Sequence, residues 1–242
     1  MDEFVSIILC HYSQGDEANP PSQTRKNLLR ECIEALEKYT DYPSELIVID
    51  NGGVDDDSDY LLSKVREGTI NTYLRNKDNM LYGWAWNQGV KLAQGEYIFL
   101  MCNDIIVKEG WLSKTIQPIL NRDDKIVSSP INGKRKYDKE MVEDWIINPW
   151  AGSDCMLMKK ETFYDVGEYT TYRLAGSVWQ KNLIKKGYKV FVPKVNLAEN
   201  RGLKDRLNTH RNQVVKKKLF KGEEIDLSFN DVFAVNKGYE LN

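Results

Sequence analysis

Asp104 closes a polar triplet, Cys102-Asn103-Asp104, set between two apolar runs, Tyr97 to Met101 and Ile105 to Val107. A polar group in such a place must be solvated, paired or bound to something. A carboxylate there can cap a turn, or it can hold a divalent cation, and the triplet alone leaves both open. Three other segments end in the same manner. Phe4 to Cys10 gives way to His11-Tyr12-Ser13, Leu46 to Ile49 to Asp50-Asn51, and Ile70 to Leu74 to Arg75-Asn76. In chemical terms, Arg75 could pair with a phosphate and Asp50 could accept a hydrogen bond from an N–H group. Asp104 could hold Mg2+ or Mn2+, ions that take one or two protein carboxylates and complete their shell with phosphate oxygens and water.

Four strands in one sheet must bring these ends together. Phe4 to Cys10 is a buried, β-branched run and reads as a strand. From Thr24 to Tyr39 the apolar positions Leu28, Leu29, Cys32, Ile33 and Leu36 recur at helical spacing. Strand, helix and strand then alternate through Glu45–Asp50, "DYLLSKVRE", "INTYLRN", a helix near Trp84 to Ala93, and the strand that ends at Asp104. The rhythm predicts a mostly parallel α/β sheet flanked by helices, in which ligands bind at the carboxyl ends of the strands. The second half is less regular. "GWLSKTIQPIL" reads as a helix that Pro118 ends or kinks, and "INGKRKYDKEMVEDW" as a charged loop. "CMLMKKETFYDVG" gives a strand and a short helix, and "VWQKNLIKKGYKVFVPKV" a helix, a turn and a strand.

The chain has 242 residues, 41% of them hydrophobic, enough for one sizeable core. Its cysteines, Cys10, Cys32, Cys102 and Cys155, are far apart and lack zinc-ligand spacing, so reduced buried thiols and a cytoplasmic setting are expected. The opening "MDEFVSIILC" has too short an apolar run for a signal peptide, and no run is long enough to span a membrane. Net charge is -2, yet Lys181 to Lys221 carries thirteen Lys/Arg against two Asp/Glu. Such a block either forms a solvated face or attracts an anionic partner: a membrane surface, a phosphorylated acceptor or a nucleic acid.

Neither G-x-G-x-x-G nor G-x-x-x-x-G-K-[ST] is present, so a nucleotide diphosphate would need a metal ion to offset its charge. "VSIILCHYS", "ELIVIDNGGVDD", "NMLYGWAWNQGVKLAQGEYIFLMCND" and Trp111-Leu112 together resemble the signature series of family-2 nucleotide-sugar glycosyltransferases of GT-A fold, in a rhamnosyltransferase-like variant. The resemblance implies a GT-A, Rossmann-like domain over residues 1–200. Residues 1–108 would bind the nucleotide sugar and residues 109–200 the acceptor, and a basic, partly helical tail would follow over 201–242. It implies a donor linked to UDP or dTDP, a hydroxyl acceptor on a glycan or glycoconjugate, Mn2+ or Mg2+ as cofactor, and inversion at the anomeric carbon. It sets His11 and Tyr12 beside the base, with Asp50 accepting a hydrogen bond from the base and Asn51 among the substrate-binding residues. Arg75, Asn79, Gly83, Trp84 and Asn87 fall near the diphosphate and sugar. The family's Asp-x-Asp reads Cys102-Asn103-Asp104, so Asp104 would ligate the metal and Asn103 a ribose hydroxyl or metal-bound water. Glu199 falls near a late metal ligand of the family.

The acceptor side departs from the pattern. The family's acidic pair, one member of which is the general base, aligns with Ala175-Gly176. Asp154, just before the Met-Leu strand, is the substitute expected to act as base or substrate contact, with Glu168 second. The missing pair also leaves open a non-catalytic relative that binds a glycan or a protein. The basic block leaves open a polyanionic acceptor such as modified DNA.

Overall fold

In the computed structural model, the residues described are 4–12, 23–53, 55–120, 122, 125–132, 140–148, 155–169 and 175–201. The first half holds β1 (Val5–His11), α1 (Gln23–Tyr39), β2 (Ser44–Asp50), α2 (Asp55–Glu67), β3 (Thr72–Arg75), α3 (Leu81–Leu92) and β4 (Tyr97–Cys102). After a turn at Asn103-Asp104 come β5 (Ile105–Val107), α4 (Trp111–Leu120), β6 (Ile126–Ser128), β7 (Glu140–Val142) and β8 (Trp145–Ile147). The described chain finishes with β9 (Cys155–Lys159), α5 (Lys160–Val166), α6 (Ala175–Lys185), β10 (Lys189–Pro193) and β11 (Ala198–Asn200).

A nine-stranded sheet runs β3-β2-β1-β4-β9-β6-β10-β8-β7, and β11 pairs with β5 in a small second sheet. Following the pairings, seven of the nine strands share one direction and only β9 and β8 oppose it. This is the mostly parallel α/β sheet expected from the sequence. Chain order marks the candidate binding place. The strands step outward from β1 to β2 to β3, and the chain then returns through α3 to lay β4 on the other side of β1. That reversal is a topological switch point, the place where open α/β sheets bind ligands beyond the carboxyl ends of their strands.

The central strands are apolar at nearly every position because both sheet faces are covered. Val5, Ile7 and Leu9 of β1 face a core shared with Leu29, Ile33 and Leu36 of α1 and Trp111, Leu112 and Ile116 of α4. Ile8 and Cys10 face the opposite core, with Ala85, Trp86 and Val90 of α3, Phe163 of α5, and Trp179 and Leu183 of α6. Each such Leu or Ile contributes about 1.5–3 kcal/mol on burial. Contact on the second face is close. A Cβ added at Gly89 would lie 2.2 Å from Cγ2 of Ile8, so only glycine lets α3 press onto β1 there.

Two local expectations are corrected. The stretch expected to be a charged loop contains a hairpin, β7–β8, with Met141 opposite Ile146 and its turn at Glu143-Asp144. Charge had hidden the alternation that lets Ile146 face the core. Pro118 does not end α4, which continues to Leu120. So near the helix end only one backbone bond is lost.

Candidate active site

The carboxyl ends of the first three strands lie in one row: His11 is in register with Asp50, and Asp50 with Arg75. On the other flank Cys10 is in register with Cys102, which sets Asn103 beside His11. Asn103 Nδ2 lies 3.0 Å from His11 Nδ1 and ties the ends of β1 and β4 together across the switch point. His11 is 1% exposed. Its other nitrogen, Nε2, faces Oδ2 of Asp57 at 3.3 Å, an electrostatic contact rather than an aligned hydrogen bond. Tyr12 follows His11 and is half-buried.

Asp104 is 8% exposed, and its carbonyl accepts a hydrogen bond from the Arg201 backbone N–H at 2.9 Å. Burial raises the Cys32 thiol on α1, and the Asp104 carboxylate adds to the rise, so Asp104 acts electrically on the core beneath it. Arg201 ends the described chain, with its guanidinium on Glu31 of α1 and its Nε 3.9 Å from Glu199. Glu199 itself stands opposite Ile106 in the β11–β5 pair. The end of β11 thus reaches the Asn103-Asp104 turn, and the Glu199 carboxylate, expected as a metal ligand, is engaged with Arg201. Among the described residues no three His, Cys, Asp or Glu side chains gather into a self-sufficient metal site.

Asp50, expected to accept a hydrogen bond from a base, is held by residues of the protein. Asp50 is completely buried. Its Oδ1 accepts from the Gly53 N–H at 3.0 Å, and its Oδ2 from the Ser58 hydroxyl at 2.8 Å and the Tyr73 hydroxyl at 2.9 Å. Arg75 Nε stands 3.6 Å from the same Oδ2, and its Nη2 donates to the Gly53 carbonyl at 3.2 Å. The carboxylate is thus spent on shaping the turn after β2, and Arg75 is drawn to that turn. Burial pushes the Tyr73 hydroxyl up to about 12, and the Cys10 thiol likewise to about 12, with the Asp50 charge adding to the latter.

Asn51 is equally committed. Its Oδ1 accepts from Asn76 Nδ2 at 3.1 Å and from the Met80 N–H at 2.9 Å, while its Nδ2 donates to Asn79 Oδ1 at 2.9 Å. Asn79 Oδ1 also accepts from the Leu81 N–H at 2.8 Å, and Asn76 and Gln88 exchange two further bonds. Gly52, at φ +80°, comes so close to Asp78 that an added Cβ would lie 2.9 Å from a backbone carbon. The loops after β2 and β3 are therefore stitched into one rigid wall.

Asn87, expected near the diphosphate, pairs with the backbone of Tyr169. Its Nδ2 donates to the Tyr169 carbonyl and its Oδ1 accepts from the Tyr169 N–H, both at 2.9 Å. It is a pin between α3 and the segment after α5. Gly83 is buried on α3, while Trp84 is 41% exposed. Asp154 lies outside the described residues, as do residues 202–242. The neighbour of Asp154, Cys155, opens β9 opposite Met101 of β4. Where the acidic pair was expected, the Gly176 N–H donates to the Tyr82 hydroxyl at 2.8 Å. Glu168 forms a surface ion pair with Lys91 at 2.9 Å. Within the basic block, Lys186 pairs with Asp165 at 3.1 Å.

Sequence reasoning passed over Asp57, Ser58 and Tyr73. The run Asp55-Asp56-Asp57-Ser58 after the Gly pair was the available signal, because acids cluster at helix starts.

Comparison with known proteins bears on the family and the fold. A family model described as "Glycosyl transferase family 2" matches residues 21–175. Glycosyltransferase GlyG of Streptococcus pneumoniae serotype 4 is 26% identical over 139 residues, which is 57% of this chain and 42% of that protein. The chain thus spans less than half the length of that relative. A crystal structure of GalNAc-T7 with UDP, GalNAc and Mn2+ aligns with a TM-score of 0.61 and 14% identity, over 78% of this chain and 42% of the other. S. aureus TarS 1-349 aligns with a TM-score of 0.62 and 15% identity, over 93% of this chain and 66% of the other. Both likenesses concern the fold, which is of GT-A type.

Proposed function

This chain belongs to glycosyl transferase family 2, and on that basis we propose that it moves a sugar from a nucleotide-diphosphate donor, UDP- or dTDP-linked, to a hydroxyl of a glycan or glycoconjugate. The observation that carries the reading is the β1/β4 switch point, where Asn103 and Asp104 turn beside His11. In this proposal the nucleotide lies across the strand ends, with its base near Tyr12 and the rigid Asn51–Gly53 turn. Its diphosphate reaches toward the Asn103-Asp104 turn, and the sugar toward Gly83 and Trp84.

The donor chemistry at that turn fits a hard divalent ion. One buried carboxylate and one amide oxygen are few ligands, as suits Mg2+ or Mn2+ that draw the rest from phosphate and water. Asp104 and Asn103 would hold the ion, and Glu199 is assigned to its pair with Arg201. When bound, the ion supplies Lewis-acid stabilisation of the charge on the departing diphosphate. The solved neighbour that contains UDP and Mn2+ supports this choice of ion.

The chain's own residues do the rest. Asp50, Asn51 and their partners hold the wall in one shape, so no ordering cost falls on the bound state. Asp154 is proposed as the general base that takes the acceptor proton, because Cys155 beside it opens the strand that lines β4. In-line attack from that side inverts the anomeric centre. The test is turnover of a sugar-nucleotide panel with Mn2+ and with chelator. Metal-dependent release of one nucleoside diphosphate is expected, and no turnover with any donor in either condition would contradict the proposal.

A further inference from the structure

Asn103 departs from the carboxylate usual at its position, and an amide has a weakness that a carboxylate lacks. Its two ends differ, so a rotation of half a turn replaces an acceptor with a donor. Something must fix which end faces a ligand. We propose that Asp57 does this through His11, as a positioning chain that commits the Asn103 amide to offering its oxygen.

The argument follows the protons. His11 is 1% exposed and lies between two groups, Asp57 Oδ2 at 3.3 Å from Nε2 and Asn103 Nδ2 at 3.0 Å from Nδ1. The negative charge of Asp57 beside Nε2 favours a proton on that nitrogen, so the imidazole in its neutral form carries its single proton on Nε2. Nδ1 is then a bare lone pair and must accept from the amide nitrogen of Asn103. With Nδ2 held there, Oδ1 becomes the atom that Asn103 can present to a metal ion, a metal-bound water or a ribose hydroxyl. Asp57 is 4% exposed and is the third residue of α2, where a helix N-terminus favours a negative charge. If Asp57 lost its charge, the imidazole could take the other tautomer. Asn103 would then turn its oxygen to His11 and its nitrogen to the ligand, which repels a cation. The three side chains come from β1, from α2 and from the turn after β4, so only the fold brings them together.

The inference deepens the proposed function and rests on it for the identity of the ligand. Its first prediction does not. The chain has two histidines, and His210→Gln assigns the remaining imidazole signals by nitrogen-15 NMR at mildly alkaline pH. We expect the Nε2–H tautomer for His11 in the wild type and a shift to a mixed or Nδ1–H tautomer in Asp57→Asn. An Nδ1–H tautomer in the wild type would overturn the chain whatever the protein's activity.

The second prediction concerns the metal. Mn2+ binding is followed by loss of the free-ion paramagnetic signal, alone and with UDP, dTDP or GDP. Asp57→Asn should weaken it roughly tenfold to a hundredfold, the usual effect of losing a group that orients a metal ligand. Asn103→Asp removes the flip because its two oxygens are equivalent. Adding Asp57→Asn to Asn103→Asp should therefore cost little, and the two effects should be strongly non-additive. If Asp57 serves stability alone, the losses will add, and the inference fails. If the wild type binds no Mn2+ with any nucleotide while the tautomer is as stated, the proposed function fails and the orientation of Asn103 stands.

Discussion

Asp50-Asn51 at the end of β2 and Asn103-Asp104 at the end of β4 look alike as sequence: an acid and an amide after an apolar strand. In the structure they are opposites. Every polar atom of the Asp50 and Asn51 side chains has a protein partner, both residues are at most 1% exposed, and the pair locks two loops together. At Asn103-Asp104 the Asn103 amide is oriented by His11, and Asn103 is only half-buried. A strand-end carboxylate is thus not a site by position. Asp50 and Asn51 belong to the wall because neighbouring residues hold their side-chain oxygens and the Asn51 nitrogen.

The sharpest way to break the comparison is to exchange consequences. Asp104→Ala should reduce turnover by more than about a hundredfold, since even groups one step removed from a bound metal cost tenfold to a hundredfold. Its thermal midpoint should stay close to wild type. Retained turnover would remove the metal assignment. Asp50→Ala should do the reverse. It strands the Ser58 and Tyr73 hydroxyls and the Gly53 N–H, and a loss of about 3 kcal/mol in urea denaturation is expected.

Gly89→Ala asks whether the floor under both regions must stay rigid. The new methyl would meet Ile8 at 2.2 Å, so a loss of about 1–3 kcal/mol is expected from overpacking. Base titration separates the two regions again. Tyr73 rises from 10.0 to about 12 and Cys10 from 9.0 to about 12. Both groups hold their proton more tightly when folded, so their stabilisation is complete below the unfolded value and is lost as pH climbs to the folded one. Denaturation midpoints should therefore fall between about pH 9 and 12. Asp50→Asn should reduce the part of that slope due to Cys10. The smallest effect belongs to Arg201→Ala. Its pair with Glu31 is half-exposed, so at most about 1 kcal/mol is expected.

The first half of the fold was legible because parallel strands buried on both faces read as continuous apolar runs, and helix spacing from Leu28 to Leu36 is regular. Chain order then fixes the switch point. The β7–β8 hairpin was not legible, because short strands rich in charge lack a clear period. In the site, types and neighbourhood were readable but commitments were not. No spacing rule says that Tyr73 will reach Asp50 from the next strand, or that Asn87 will pin Tyr169, 82 residues away. Asp57 was hidden for a related reason. An acid in a helix's first turn is ordinary, and only the fold shows it against His11.

The most direct measurement is calorimetric titration of UDP, dTDP and GDP into the wild type and Asp104→Ala, with and without Mn2+. The account predicts binding of at least one nucleotide that Mn2+ strengthens in the wild type and does not strengthen in Asp104→Ala. Mn2+-enhanced binding of equal strength in both proteins would place the metal elsewhere and contradict the account.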